Sequence, residues 1–487
     1  MSTSATLSPS GIPGLDNVLQ GGLRQGHLYF IEGPPGTGKT TFGLQFLLEG
    51  LRRGERCLLI SLAERPEEVA VIAASHGWSI DGLEVRDLVN PHEVHSTALF
   101  DLSETALDDR VQAALAEIDS LRPQRLVLDT LAALRIYSDH PSIFRRHVEH
   151  FRSKAVELGT TLLVTDEASG SPELHPRSLA WGIIRMEQRV SDYGPSRRWL
   201  WLPKLRGQAY VGGYHDMRIE TGGLRVFPRL EIGRSTAPPA RNDLVSSGNA
   251  SLDTLLGGGL ERGTSVGLIG PPGCGKSTLA SRFALAAVER GERVVFYAFD
   301  ESLATLRKRA LSQDLEIDSA LASQRLKLRQ INPGQAAPGE LARELAEEVD
   351  RHQTQLIVID SLNGYFQAMP NDPMLNLQVH DLLSYLSAHG ALTLLTLAHP
   401  SPLNRQQGLP VDLSYLTDTV IVQRYFEAYG TIRYALSVMK KRYGDHERTI
   451  REYKIGPGGI DVGEPLTEFR GVLTGVPEYL GEHQPLL

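Results

Sequence analysis

Short apolar runs alternate along the chain with segments in which apolar residues recur every three to four positions. Apolar runs at residues 27–32 and 56–62 flank a segment with helical spacing at residues 40–53. Further apolar runs cover residues 125–130 and 160–166. Continuous β-rich runs that alternate with helices are typical of a parallel sheet covered on both faces. The pattern predicts an α/β fold with a mostly parallel, twisted sheet.

The same order of elements occurs twice. Residues 10–41 align without a gap on residues 247–278, and 16 of these 32 positions are identical. The four apolar runs of the first half recur in the second half, at residues 264–269, 293–299, 355–360 and 392–399. A repeat of this length indicates one structural unit written twice. We predict a first domain at residues 1–233, a Pro- and Ala-rich linker at 234–242, and a second domain at 243–487.

The composition is that of an average soluble protein, and it excludes several classes. Of the 487 residues, 41% are hydrophobic and 22% charged, which argues against disordered and fibrous proteins. The net charge of −8 argues against a dedicated binder of nucleic acid. Two cysteines, Cys57 and Cys274, cannot form a disulfide framework. Because the sequence also has no signal peptide or membrane-spanning run, we expect a cytoplasmic protein.

Each half contains a glycine-rich segment between a predicted strand and a predicted helix. Both segments match the phosphate-binding pattern G-x-x-x-x-G-K-[ST]. Glycines let successive N–H groups approach a phosphate, and the helix N-terminus adds positive charge. The lysine reaches the β- and γ-phosphates, and the following hydroxyl binds Mg²⁺. We therefore predict two sites for ATP and Mg²⁺. The candidate ATP-binding residues are Gly33, Gly36, Thr37, Gly38, Lys39, Thr40, Thr41, Gly270, Gly273, Cys274, Gly275, Lys276, Ser277 and Thr278.

Acidic residues end several of the predicted strands. Asp129 and Asp360 each end an apolar strand well downstream of a phosphate loop, where a carboxylate is needed to hold hydrated Mg²⁺ together with Thr40 or Ser277. Hydrolysis also requires a group that orients water or accepts a proton. Glu64 in the first half, and Asp300 and Glu301 in the second, follow the second strand of each half, the first one after the phosphate loop, and are candidates for that role.

The doubled unit, with the pattern SGxxxLDxxLxGGL ahead of each phosphate loop, resembles the KaiC family of circadian-clock ATPases and autokinases in the RecA superfamily. The resemblance covers nearly the whole chain. It implies two tandem RecA-like domains and a homo-oligomer, a hexameric ring with nucleotide at the subunit interfaces. It also implies a KaiB-like partner. The C-terminal stretch resembles the family's regulatory segment but ends soon afterwards, so we do not expect a KaiA-like activator to be recruited.

The resemblance also assigns roles to basic residues near the end of each half. Lys204-Leu205-Arg206-Gly207 matches a family segment in the first domain. Lys440, Arg442 and His446 match the corresponding segment in the second. In the family, these residues contact the nucleotide of the neighbouring subunit, where positive charge stabilises the transferring phosphoryl group.

Phosphorylation is the third implication of the resemblance. Ser414 falls on a phosphoacceptor serine of the family, and Tyr415 replaces the adjacent threonine. Asp300 and Glu301 fall on paired glutamates, whereas the first half has Ala63 in place of the first carboxylate. We therefore expect slow hydrolysis in the first half, and Ser/Thr autokinase and autophosphatase chemistry in the second. The protein is then an oligomeric, ATP-dependent switch or timing protein.

Two other functions remain open at this point. A RecA- or RadA-like recombination or remodelling ATPase shares the P-loop core, but it requires a basic DNA-contacting loop, and only scattered Arg pairs are present. A nucleotide-gated scaffold with little turnover is favoured in the first half by Ala63.

Overall fold

The chain divides into two compact units, residues 1–229 and 230–487. The computed structural model describes residues 6–87, 104–136, 141–167, 176–190, 195–231, 243–332, 334–335, 337–367, 375–399, 413–474 and 477–480. The predicted linker at residues 234–242 lies outside the described residues.

Unit one is a sheet with helices. Its strands are β1 Leu7–Ser8, β2 Leu23–Arg24, β3 Leu28–Glu32, β4 Cys57–Ser61, β5 Glu84–Asp87, β6 Arg125–Asp129, β7 Thr161–Asp166, β8 Gly182–Arg189, β9 Arg197–Leu205, β10 His215–Glu220 and β11 Gly223–Phe227. Its helices are α1 Leu15–Val18, α2 Lys39–Arg52, α3 Pro66–Ser75, α4 Glu104–Leu121, α5 Leu131–Ile136 and α6 Pro141–Leu158.

Unit two repeats this arrangement. Its strands are β12 Leu244–Val245, β13 Leu260–Glu261, β14 Ser265–Gly270, β15 Val294–Ala298, β16 Leu326–Gln330, β17 Leu356–Asp360, β18 Leu392–Ala398, β19 Thr419–Ala428, β20 Thr431–Lys441, β21 Arg451–Gly456, β22 Gly459–Pro465, β23 Phe469–Arg470 and β24 Glu478–Tyr479. Its helices are α7 Ala250–Leu255, α8 Lys276–Glu289, α9 Leu303–Ser312, α10 Ile317–Ala322, α11 Pro338–His352, α12 Leu362–Gln367, α13 Leu375–Ala388 and α14 Leu413–Leu416. None of the helices in the described parts of the chain is long and apolar enough to cross a membrane.

Each unit is built on one nine-stranded sheet, which confirms the predicted α/β class. The strand order is β11-β10-β9-β8-β3-β7-β6-β4-β5 in unit one and β16-β15-β17-β18-β14-β19-β20-β21-β22 in unit two. Six neighbouring strands of each sheet pair in parallel. They are β5, β4, β6, β7, β3 and β8 in unit one, and β16, β15, β17, β18, β14 and β19 in unit two. The remaining three strands extend the sheet with antiparallel pairing. These are two tandem RecA-like domains.

Helices cover both faces of each sheet, as the continuous apolar runs predict. In β3, Tyr29 and Ile31 pack in the same core cluster as Phe42 of α2. Phe30, which points to the other face, packs with α4 and α6 through residues such as Phe151. The period of two along a strand thus divides one apolar run between two cores.

The repeated SGxxxLD pattern has a local structural cause. Asp16 Oδ1 accepts a hydrogen bond from Ser10 N at 2.9 Å, and Asp253 Oδ1 accepts one from Ser247 N at 2.8 Å. In each unit the carboxylate closes the turn that precedes a short helix and the phosphate loop. Side chains of this type commonly satisfy nearby backbone N–H groups in turns.

Unit one also contains a fully buried arginine. The Arg125 side chain is 0% exposed and donates to the backbone oxygens of Pro9 and Phe46, both at 2.8 Å. Its charge is paired with Glu55. Gly50 in α2 leaves room for it, because a Cβ there would lie 2.6 Å from Arg125 Cδ. This side chain ties α2 to the start of β6.

We expect Glu55→Gln to destabilise unit one by about 3 kcal/mol, because removing one partner of a buried ion pair leaves an uncompensated charge. The measurement is calorimetric unfolding of the full chain. The control is Glu49→Gln, which removes the partner of two exposed arginines on the same helix, Arg52 and Arg53, and should cost less than about 1 kcal/mol because both can be hydrated instead. Equal effects of the two substitutions would contradict this account of Arg125.

Candidate functional site

Both phosphate loops connect a central parallel strand to a helix at the carboxyl edge of the sheet. Gly38 and Gly275 precede α2 and α8 with φ angles of +98° and +91°, a region that glycine adopts without strain. A Cβ at Gly38 would lie 2.5 Å from Ile219 Cδ1, and one at Gly275 would lie 2.7 Å from Ile455 Cδ1. The second glycine of the pattern is therefore required by backbone conformation and by packing.

The loop lysines lie in the same way in both units. Lys39 Nζ donates to Gly33 O at 2.8 Å and to Pro34 O at 3.0 Å. Lys276 Nζ donates to Gly270 O at 2.9 Å and, at 2.8 Å, to the next carbonyl of its loop. Burial lowers the pKa of both lysines, because the charged amine loses hydration. Each loop thus holds a partly dehydrated cation, which suits it to a phosphate.

The strand-end aspartates occupy equivalent places. Asp129 accepts a hydrogen bond from Thr165, and Asp360 accepts one from Thr396 on the neighbouring strand. Both aspartates are more than nine-tenths buried. The described residues contain no group of three or more His, Cys, Asp or Glu that could hold a metal alone. One carboxylate and one loop hydroxyl per unit fit Mg²⁺ that takes its other ligands from a nucleotide and water.

The three candidate catalytic carboxylates have different environments. Asp300 accepts a hydrogen bond from Ser361, which directly follows Asp360. Glu301 instead pairs with Arg309 on α9, with Oε1 2.6 Å from a guanidinium nitrogen. In unit one, the turn that carries Glu64 is held by Ser61, whose Oγ donates to Glu64 O at 2.6 Å and accepts from Glu64 N at 3.0 Å.

Burial raises the pKa of Glu64 and of Glu301. The nearby Asp129 carboxylate raises the pKa of Glu64 further, and Arg309 opposes the effect at Glu301. Carboxyls with a raised pKa in a phosphate-binding cleft suit proton transfer.

Glu167 is a carboxylate that sequence reasoning missed. Burial lowers the pKa of Lys39, and the carboxylate that most strongly opposes this effect is Glu167, ahead of Asp129 and Glu64. Glu167 directly follows β7, and the equivalent position after the matching threonine of β18 is Ala398. Its position after an apolar strand was the available signal. Unit one therefore has a further carboxylate near its loop lysine, besides Asp129 and Glu64. This carboxylate follows β7, whereas Asp300 of unit two follows β15.

Residues of the last parallel strand, β19, and of the antiparallel extension also contact the second phosphate loop. Tyr425 on β19 donates a hydrogen bond to Pro272 O, and Gln423 Nε2 donates to Cys274 O at 3.3 Å. Tyr453 on β21 donates to the same Cys274 oxygen. The Cys274 side chain is fully buried, and burial raises the pKa of its thiol, so it serves as a small buried residue. No sequence pattern predicted these contacts, because the strands that make them lie far from the phosphate loop in the sequence.

The basic candidates of unit one lie far from the phosphate loop of their own unit. Arg206 N donates to Trp181 O, and Trp181 N donates to Leu28 O, so Arg206 lies level with the start of β3. The phosphate loop begins at the other end of that strand, about 17 Å away at about 3.3 Å per residue. Lys204 Nζ donates to Arg177 O at 2.8 Å. Burial and the neighbouring Arg206 lower the pKa of Lys204.

Unit two repeats this placement. Lys440 pairs with Val420, and Arg442 N donates to Asp418 O at the start of β19. The start of β19 lies beside the start of β14, because Thr419 pairs with Val266. The phosphate loop follows the opposite end of β14. The basic side chains thus lie along the amino edge of the sheet.

The remaining family-implied residues lie near this edge as well. His446 is next to Glu447, whose N–H donates to Leu255 O at the end of α7. The backbone of Ser414 is in α14, shortly before β19 begins. Tyr415 is 70% exposed, and its ring stacks on His380 with centroids 5.7 Å apart.

The phosphate loops, the buried strand-end aspartates and the parallel sheets define a tandem P-loop ATPase of the RecA class. The family model described as "ATPase: KaiC" matches residues 8–231 and 245–467. The chain belongs to the KaiC family of ATPases.

Relatives described as "Circadian clock oscillator protein KaiC" match along nearly the full chain. The protein from Acaryochloris marina is 26% identical over 478 residues, 96% of this chain and 90% of the relative. The one from Synechococcus elongatus is 27% identical over 481 residues, with 96% and 91% covered. The one from Prochlorococcus marinus is 25% identical over 488 residues, with 98% and 96% covered.

The raised pKa of Glu301 has a consequence for stability. Ionisation of this carboxyl is disfavoured in the folded state, so the folded protein loses stability as the pH rises from the ordinary Glu value of 4.5 through the raised pKa. A Glu301→Gln variant lacks this loss. In the absence of nucleotide, we therefore expect the melting temperature of the variant to rise relative to that of the wild type as the pH increases above 4.5.

The matched control is Asp318→Asn, which removes the exposed partner of Arg307. Its melting temperature should show no comparable gain with pH. A melting-temperature difference between Glu301→Gln and the wild type that shrinks as the pH rises would contradict the raised pKa of Glu301.

Proposed function

We propose that the chain binds ATP and Mg²⁺ in both units and forms a homo-oligomeric ring in which each nucleotide lies between two subunits. The observation that carries this proposal is the separation, within each unit, of the phosphate loop from the basic residues. Lys204 and Arg206, like Lys440 and Arg442, lie near the edge of the sheet opposite the loop of their own unit. Such residues can stabilise a transferring phosphoryl group only in a neighbouring subunit.

We further propose that unit two carries Ser/Thr autokinase and autophosphatase chemistry. Lys276 would exchange the carbonyls of its loop for phosphate oxygens. Ser277 and Asp360 would hold Mg²⁺, which neutralises phosphate charge and orients the phosphates. Asp300 would accept the proton of the attacking hydroxyl, and the Ser361 hydroxyl, which donates to Asp300, would orient it. The backbone of Ser414 lies shortly before β19, near the amino edge of the sheet, which supports a role as acceptor for the ATP of a neighbouring subunit.

Unit one would mainly assemble the ring and hydrolyse ATP slowly. It has Ala63 in place of Asp300, and its carboxylates near the loop lysine are Glu64 and Glu167. Thr40 and Asp129 would hold Mg²⁺ there. The relatives are described as circadian clock oscillator proteins, which supports the proposal that the ring is a timing device. The family resemblance adds the proposal of a KaiB-like partner. Both cysteines are free and buried, which supports a reducing, cytoplasmic setting.

Incubation of the purified protein with ATP and Mg²⁺, followed by intact mass and site mapping, tests the kinase proposal. We expect phosphate on Ser414, and a rate lower by about 100-fold or more in Asp300→Asn, because the proton acceptor is lost. Asp318→Asn, which changes an exposed carboxylate of the same unit, should phosphorylate at the wild-type rate. A chain that hydrolyses ATP but gains no phosphate would retain only the ATPase.

Mixing two inactive variants tests the shared interface. Lys276→Ala lacks the loop lysine of unit two, and Arg442→Ala lacks the basic residue that is offered to the neighbour. When equal amounts of the two variants assemble at random into rings, about a quarter of the subunit interfaces combine an intact loop with an intact basic residue. Phosphorylation should therefore return in part.

The phosphate should also appear on one chain only. An active interface takes its loop from an Arg442→Ala chain and its basic edge, with Ser414, from a Lys276→Ala chain. Isotope labelling of one variant therefore should locate phosphate on the Lys276→Ala chains. Phosphate on the Arg442→Ala chains, or none in the mixture, would refute transfer between subunits.

A further inference from the structure

The two units hold the second hydroxyl of the phosphate loop with different side chains. His76 follows α3, and its Nε2 lies 3.4 Å from Thr41 Oγ1. Gln313 follows α9, and its Nε2 donates to Thr278 Oγ1 at 3.2 Å. Both pairs are related by the offset of 237 residues that relates the two loops. The same contact has thus been kept in both units with a different chemical group.

The contacting residues occupy a fixed place in each unit. Thr41 and Thr278 lie in the first turn of α2 and α8, where backbone N–H groups have no partner within the helix. The His76 carbonyl accepts from Gly222 N at 3.0 Å, in the turn between β10 and β11. The Gln313 carbonyl accepts from Gly458 N at 2.8 Å, in the turn between β21 and β22. The hairpin of the antiparallel extension therefore holds each side chain against its loop helix.

The direction of the hydrogen bond differs between the units. His76 Nδ1 lies 3.0 Å from Glu220 O, and a carbonyl oxygen only accepts, so the ring proton of the neutral imidazole is on Nδ1. Nε2 is then an acceptor, and the Thr41 hydroxyl donates its single proton to it. In unit two the amide of Gln313 donates instead, so the Thr278 hydroxyl keeps its proton for another acceptor.

We propose that His76 and Gln313 are positioning residues that set the hydrogen-bonding direction of Thr41 and Thr278 toward the nucleotide. Thr278 donates its proton to a phosphate oxygen, and Thr41 does not, because its proton is committed to His76. Unit two therefore binds a nucleoside triphosphate more tightly than unit one by one hydrogen bond to a charged group, about tenfold or more in Kd. This inference rests on ATP binding at both loops and is independent of the autokinase.

The test exchanges the two side chains in the full-length protein. Titration with a fluorescent ATP analogue and Mg²⁺ at about pH 8, where an ordinary imidazole is neutral, reads one unit at a time. Unit one is read in chains that carry Lys276→Ala, and unit two in chains that carry Lys39→Ala. We expect His76→Gln to tighten Kd in unit one about tenfold, and Gln313→His to weaken Kd in unit two by a similar factor.

Removal of the hydroxyl separates this role from a merely structural one. Thr278→Val should weaken binding in unit two about tenfold, because the hydroxyl that donates to the phosphate is lost. In unit one, the double variant His76→Gln/Thr41→Val should bind no more tightly than Thr41→Val alone, because the gain from His76→Gln requires the Thr41 hydroxyl. His352→Gln, a change of an exposed histidine at the end of α11, controls for nonspecific effects and should leave both affinities unchanged.

Two results would overturn the inference. The first is a Kd for His76→Gln within twofold of its parent, with the chain folded as judged by its melting temperature. The second is a gain that survives Thr41→Val, because the effect would then arise from packing of the hairpin. A wild-type chain with no ATP bound at either loop would instead overturn the proposed function itself, and that result is distinguishable in the first titration.

Discussion

The direction of the strands in each sheet is the constraint on which the sites depend. Six strands of each sheet run in parallel, so their carboxyl ends lie along one edge, and each phosphate loop, strand-end aspartate and candidate catalytic carboxylate follows one of these ends. The next strand, β9 or β20, runs the opposite way. Its end therefore carries basic residues to the amino edge. In the proposed ring, a RecA-like domain built in this way would offer half of a nucleotide site at each edge, and this arrangement would link assembly to catalysis.

The two units share this framework but differ in how charge is placed around the lysine. In unit two, Asp300 accepts a hydrogen bond from Ser361, which follows Asp360, and Glu301 forms an ion pair with Arg309. In unit one, Ala63 removes one carboxylate, while Glu167 supplies another from β7. Unit one also depends on the buried Arg125 and Glu55 pair, whereas the corresponding strand of unit two begins with the apolar Leu356. The repeat has thus kept the phosphate cradle and varied the chemistry next to it.

The two units also differ in the direction of an equivalent hydrogen bond next to the phosphate loop. A hydroxyl has one proton, and the neighbour that receives it decides what the hydroxyl offers to a ligand. His76 and Gln313 lie at the same place in the fold and make the same contact, but one accepts and the other donates. Contacts of this kind link the phosphate loop to the antiparallel hairpin, and the hairpin belongs to the same extension as the strand that carries the basic residues.

The sequence by itself determined the parallel sheet, the two phosphate loops and the strand-end aspartates. These follow from local rules: apolar runs make buried strands, and the order of glycines, lysine and hydroxyl forms the loop through backbone conformation. The tertiary structure alone decided that Glu167 lies near Lys39, that Ser361 donates to Asp300, and that the basic residues lie near the far edge of the sheet. Such relations join strands far apart in the chain. They depend on strand order and direction, which no local pattern of residues encodes.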